Sequence, residues 1–260
     1  MMEGSLVEKD HIYEMEIEVS DLDENGLLKP YAYQALFAHL AEKHLNLLNL
    51  NVDMTLTHDL AWALVSMSLE FPMPVKSCMR LFATTWHSQR KGPYFRRELV
   101  FRNGDGDVMF QGSTFSVLLD LGNRSVYRKK ELPFHVHDPI AEFTIEAFPT
   151  VRSQSSYEQV EQRKVRNSHI DPLGHVNNCR YGEFAHDALS EEECRDLRHL
   201  RRMDIHFVSE LRKGDVFSIW KACEEHDESR RILIRGRNDG TDGVSFDAIL
   251  TFQPHDPVIR

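Results

Sequence analysis

The chain has 260 residues, 41% hydrophobic and 28% charged, with a formal net charge of −10. This length gives room for two domains of roughly 100–150 residues, in the composition range of an ordinary globular protein. The acidic balance argues against nucleic acid as a partner, and no apolar run approaches the ~18–20 residues that would cross a membrane.

The polar, acidic first ten residues, MMEGSLVEKD, read as a loose terminus and not as a signal peptide. Cys78, Cys179, Cys194 and Cys223 are widely spaced without a CxxC pair, which points to reduced thiols in a cytoplasm. Tyr13–Val19 alternates as a strand should, and Ser20–Gly26 is a turn-rich loop. Pro30 then opens a helix, where its missing N–H costs nothing. The helix runs to about Leu48 with Tyr33, Leu36, Phe37, Leu40 and Leu47 largely on one face. Strand candidates follow at Ala61–Phe71, Cys78–His87, Tyr94–Asn103 and Val108–Asp120, with Asn103-Gly-Asp-Gly106 as a hairpin turn.

Residues 131–157 carry Pro133, Pro139, Pro149 and the Ser153–Ser156 cluster, and they read as a linker. The order then starts again: a strand at Val160–Asn167, a loop at Asp171–Asn178 and a helix at Cys179–Leu189. Four strands follow at about Arg202–Val208, Val216–Glu224, Arg231–Arg237 and Val244–Phe252. This is an internal repeat. Ser20–Gly26 matches Ser168–Gly174 at four of seven positions, counting Leu22 with Ile170. The same offset of 148 separates Asp23 from Asp171 and Tyr33 from Tyr181. Met67–Phe71 matches Met203–Phe207 at a shorter offset. The repeat divides the chain into 1–130, a linker at 131–157, and 158–260.

The second loop, Asp171-Pro-Leu-Gly-His-Val-Asn-Asn178, concentrates the chemistry. It holds a carboxylate, a glycine turn, an imidazole and two amide side chains just before an amphipathic helix that includes Tyr181. Asn177 or Asn178 is placed to cap that helix. A helix N-terminus beside Asp171 and His175 can stabilise an oxygen that gains negative charge. Asp171 is the candidate base or nucleophile, and His175 a group to orient water or hold charge. Gly174 lets the backbone approach a ligand, and the amides of Val176 and Asn177 are candidates to polarise a carbonyl. The side chains of Asn177 and Asn178 are expected to cap the helix and bind the opposite loop. The first loop has Leu27-Leu-Lys29 where the second has His175-Val-Asn177, so the first is expected to be silent. His169, Asp171 and His175 form a weak metal pattern that lacks a further ligand, and no metal is expected.

The pattern D-x-x-G-H-V-N-N-x-x-Y opening a helix resembles the signature of hot-dog thioesterases, and the duplication resembles the acyl-acyl-carrier-protein (acyl-ACP) thioesterases. The resemblance extends from about Tyr13 to Phe252. It implies an α+β fold of two tandem hot-dog units, each a long helix wrapped by an antiparallel sheet. It implies a cytoplasmic hydrolase of fatty acid biosynthesis and lipid metabolism that splits fatty acyl-ACP without a cofactor, with acyl carrier protein as partner. It also brings in Glu210, which matches a family glutamate on a strand after the helix. There are departures: Leu173 stands where the family has an asparagine, Leu211 where it has a cysteine, and His169 replaces a common aspartate. An acyl-CoA thioesterase, a non-catalytic acyl-binding protein and a hydratase are the alternatives, and a homodimer is left open. An acidic carrier would need a local basic patch, either Arg195, Arg198, Arg201 and Arg202, or Arg124, Arg128, Lys129 and Lys130. The first unit's helix residues Leu36, Phe37 and Leu40 are expected to shape an acyl pocket.

Overall fold

The computed structural model describes residues 8–76, 79–150, 155–226 and 229–253. Cys78, Ser153 and most of the expected loose terminus lie outside the described residues.

Among the described residues, eleven strands form one antiparallel sheet. In chain order they are β1 (Tyr13–Glu16), β2 (Leu60–Glu70), β3 (Arg80–Lys91), β4 (Tyr94–Arg102), β5 (Val108–Asp120) and β6 (Ser125–Val126). The second half supplies β7 (Glu158–Lys164), β8 (Leu200–Phe207), β9 (Val216–His226), β10 (Ser229–Asn238) and β11 (Gly243–Phe252). The spatial order is β1-β3-β4-β5-β2-β8-β11-β10-β9-β7, with β6 on β5. The two halves join where β2 pairs β8, with Met67 opposite Ile205 and Glu70 opposite Arg202. Both outer strands carry charge, Glu14 and Glu16 on β1 and Glu158, Glu161, Arg163 and Lys164 on β7, which discourages edge-to-edge pairing.

Four α-helices are present among the described residues: α1 (Pro30–Leu47), α2 (Val52–Leu56), α3 (Asn178–Asp187) and α4 (Glu191–Arg195). Pro30 stands at the first turn of α1, as its sequence position predicts. Asn177 caps α3 by accepting from Cys179 N–H at 2.9 Å. The short helices α2 and α4 were not legible in the apolar periodicity. Each is started by a side-chain cap instead: Asn51 accepts from Met54 N–H, and Ser190 with Glu193 forms a reciprocal capping box. Glu193 is nearly buried, which alone would raise its pKa. The Lys221 ammonium at 2.8 Å and the Ser190 amide overcome this and hold it below the usual range.

Helices α1 and α3 lie on one face of the sheet and touch each other. Their buried faces (Tyr33, Leu36, Phe37 and Leu40; Tyr181, Phe184 and Ala185) join Met67, Leu69, Met203 and Ile205 in one core that runs through both halves. Each such side chain contributes roughly 1.5–3 kcal/mol by leaving water. At the crossing, Gly182 stands against Gln34, its equivalent at the 148-residue offset. A Cβ at Gly182 would meet Gln34 Oε1 at 1.9 Å, so only glycine admits this approach.

The connecting segment does more than link the halves. Residues 140–148 lie across the other face of the sheet. Trp86 Nε1 donates to Glu142 O, Arg96 to Ile145 O, Arg202 to Glu146 O and Ser66 to Phe148 O. Beneath it Glu98, fully buried, pairs with Arg96 Nε at 2.6 Å and accepts from Ser88, Ser113 and Thr144. A buried carboxylate is tolerable only when satisfied in this way.

Candidate active site

The loop before α3 is held by its own first carboxylate. Asp171 Oδ1 accepts from Leu173 N–H at 2.9 Å and His175 N–H at 3.3 Å, while Asp171 N–H donates to His175 O. Gly174 closes the turn at φ +87°, a conformation that strains other residues. The first loop repeats the arrangement. Asp23 Oδ1 accepts from Asn25 and Leu27 N–H, both at 2.8 Å, and Gly26 has φ +73°. One oxygen of each aspartate is therefore spent on the turn in both halves, with or without an imidazole.

The same geometry corrects the expected oxyanion site. Val176 N–H donates to Leu211 O at 2.9 Å and Asn177 N–H to His169 O at 2.8 Å. Neither amide is available to polarise a substrate. Both bonds recur in the first half, from Leu28 to Val75 O and from Lys29 to Asp21 O, so they belong to the fold. Of the next amides, Cys179 N–H is capped by Asn177 Oδ1, and Arg180 N–H donates to Asn177 O. Asn178 N–H is the first amide of α3 and has no carbonyl below it within the helix. The side chain of Asn177 caps the helix as expected, whereas Asn178 lines a cavity instead.

His175 and Glu210, far apart in sequence, are brought together. Nε2 of the imidazole is 3.0 Å from Glu210 Oε2, and Arg212 Nη2 is 3.4 Å from the same oxygen. The half-buried imidazole and the exposed carboxylate meet because the β8–β9 connection runs beside the loop, bridged from Arg212 to His175. Leu211 is fully buried beneath them, while Leu173 is 50% exposed. Neither leucine can act on water, and the carbonyl of Leu211 holds Val176. Tyr181 lies under this cluster and takes a long bond from Leu211 N–H at 3.4 Å. Burial pushes its phenol up to about 12, so it stays neutral. Burial likewise pushes the Cys179 thiol up to about 11, which removes it as a thiolate nucleophile near neutral pH. His169 packs edge-on against Phe184, and its Nδ1 accepts from Arg166 N–H. Burial lowers its pKa.

A cavity of about 510 Å³ lies beneath the second half of α1, within the usual size range for small-molecule sites. Phe37, Ala38, Ala41 and Leu45 form its helix side, and Trp62, Leu64, Phe95 and Thr114 line its sheet side. Asn178 is the residue by which it reaches the second loop. Of the helix residues expected to shape an acyl pocket, Phe37 lines this cavity, Leu36 borders a separate cleft between α1 and β1, and Leu40 is a buried core residue. The sheet residues of the cavity were not foreseen. Their signal was Arg97, a charged residue in the alternation Phe95, Arg97, Leu99, Phe101 that is otherwise apolar.

The two basic clusters differ. Arg202 is turned inward to Glu70 and Asp204, and Arg195 pairs with Glu191. Arg124, Arg128, Lys129 and Lys130 are all exposed. They lie next to Arg90, which donates to Lys129 O and packs over the cavity residue Phe95. No helix among the described residues is long and apolar enough to cross a membrane.

The fold is hot-dog-like and is shared with solved thioesterases. An acyl-ACP thioesterase from Bacteroides thetaiotaomicron superposes with a TM-score of 0.76 at 19% identity, covering 94% of this chain and 97% of that one. The 12:0-ACP thioesterase from Umbellularia californica gives 0.74 at 12% identity, covering 94% and 97%. No curated protein matches the chain by sequence. Residues 152–253 match the acyl-ACP thioesterase C-terminal domain. That match lies in the second half of the chain, whereas the shared fold extends over nearly all of it.

Proposed function

We propose that the protein hydrolyses fatty acyl-ACP in the cytoplasm to free fatty acid and carrier thiol. In this reading residues 1–130 and 158–260 are two tandem hot-dog units joined by 131–157. The first holds the acyl chain and the second carries the reacting groups. The observation that carries the reading is the cavity of the first half reaching Asn178, at the start of the helix that follows the Asp171 loop.

The thioester carbonyl lies at the N-terminus of α3, where Asn178 N–H and the helix dipole offset the growing oxyanion. Asp171 uses Oδ2, the oxygen not spent on the turn, to take a proton from the attacking water. The water oxygen bonds to the acyl carbon, the C–S bond breaks, and the proton passes from Asp171 to the leaving thiolate. His175 is held by Glu210 through Nε2, which fixes its ring beside the reacting carbonyl. Carrier protein is acidic, and Arg124, Arg128, Lys129 and Lys130 are the surface we assign to it, because their neighbours reach the cavity wall.

Thiol release by the folded protein from a panel of acyl-ACPs and acyl-CoAs tests this. Faster release from the ACP substrates is expected. Equal or faster release from CoA would transfer the assignment to an acyl-CoA thioesterase, and no release from any thioester would end it.

A further inference from the structure

The two halves build one position of the sheet differently, and the cavity lies at the difference. Leu64 of β2, Ser116 of β5 and Phe95 of β4 form one register row, and all three line the cavity beneath α1. The corresponding row of the second half is Leu200 of β8, Phe252 of β11 and Arg230 of β10. The correspondence extends to the irregularity beside each row, where the extra residue of the bulge is Val65 on β2 and Arg201 on β8. In the adjoining row Thr114 corresponds to Leu250, and Arg97 to Ile232.

Phe252 is 3% exposed and belongs to the shared core, so a phenyl ring occupies this place in the second half. Ser116 brings only a hydroxymethyl group to the same place in the first. The roof differs in the same sense. Helix α3 ends at Asp187, the equivalent of His39 at the 148-residue offset. Helix α1 runs on from there for roughly two further turns and lays Ala41 and Leu45 over the cavity. A small residue below and a longer helix above leave a space where the second copy has a ring. Protein interiors are otherwise close-packed, and the fold does not require the space, since its own second copy fills it.

The space also has a direction. Asn178 marks the end nearest the Asp171 loop. Pairing of β2 with β8 stops at Ser66, and the row of Leu64 and Ser116 lies beyond that point, followed by Trp62. Trp62 is fixed as an end wall: its indole N–H donates to Leu50 O at 3.2 Å, and its ring meets Phe95 edge-on at 5.0 Å. A chain that enters past Asn178 meets Ser116 before Trp62.

We infer that Ser116 sets the length of acyl chain the protein accepts, its small side chain letting the chain pass to Trp62, where it ends. This rests on the acyl-thioesterase reading above and deepens it. Ser116 acts on the choice of substrate and not on bond breaking.

The test measures kcat/KM for a ladder of saturated acyl-ACPs, each two carbons longer than the last, in the wild type and in Ser116→Val, Ser116→Leu and Ser116→Phe. The longest chain cleaved should shorten in that order of side-chain size. Each methylene that no longer fits should cost about tenfold or more in kcat/KM relative to the shorter chain. Trp62→Leu removes the end wall and should move the limit to longer chains, which keeps the inference testable should Ser116→Phe fail to fold. Calorimetric binding of the matching free acids gives a readout independent of hydrolysis. A limit that stays put in folded Ser116→Leu or folded Trp62→Leu, or a loss uniform over all chain lengths, overturns the inference. A length limit in acid binding that follows Ser116, in a protein that cleaves no thioester, would instead sink the hydrolase reading and leave the pocket assignment standing. Neither hydrolysis nor binding of any chain would overturn both.

Discussion

In the mechanism we propose, Asp171 divides its two oxygens between structure and chemistry. Oδ1 is committed to Leu173 and His175 N–H, as the oxygen of Asp23 is committed in the first loop. Asparagine retains an acceptor oxygen for those bonds but cannot take a proton from water. Asp171→Asn should therefore keep the fold while lowering kcat by roughly 10²–10⁴-fold, the range of a lost general base. Asp23→Asn should leave both stability and kcat close to wild type. A matched loss in the two variants, measured by thiol release and thermal melting, would show the turn alone to matter. At this scale the sequence was informative about which residues lie together, since His175 touches both Asp171, through its N–H, and Glu210, through its ring. It was misleading about the Val176 and Asn177 amides. A motif places N–H groups in a loop but not the carbonyls of Leu211 and His169 that already occupy them.

Among the elements, the crossing of α1 and α3 depends on one missing Cβ. Gln34 is buried with neither side-chain polar atom bonded, and its amide presses against Gly182. Gly182→Ala would force the helices apart and should cost about 1–3 kcal/mol, as overpacking does. The penalty should shrink below about 1 kcal/mol in a Gln34→Ala background, where the obstructing amide is gone. Urea denaturation of the two single variants and the double variant measures this; an additive result would mean the crossing is not limited by that contact. The long elements were readable because their apolar periods are strong, and β5 begins and ends where the pattern says. Helices α2 and α4 have only one turn and no period to detect. Their caps, Asn51 and Ser190, were the available signal. Residues 140–148 read as linker because Pro139 and Pro149 bracket them, yet covering a sheet face requires no pattern, only carbonyls within reach of Arg96, Trp86 and Arg202.

Across the whole molecule, one sheet and one core join what the repeat divides. Strand β2 pairs with β8, and the cluster that holds Tyr33 and Phe37 also holds Tyr181 and Phe184. Neither half can lose its structure without exposing an inner strand of the other. The described protein should therefore unfold in a single transition, with calorimetric and van't Hoff enthalpies that agree. Two resolved transitions would show that the junction is weaker than its pairing implies.

The pairing of β2 with β8 also has a consequence for how such a protein can diverge. When two identical chains associate, one gene writes both copies, and any change that enlarges a pocket is imposed on the reacting loop of the other copy as well. Here the copies are written separately on one polypeptide. Substitutions at the cavity residues Arg97, Thr114 or Ser116 leave Ile232, Leu250 and Phe252 untouched, and on the reading we propose the pocket can change while the reacting loop is inherited unchanged.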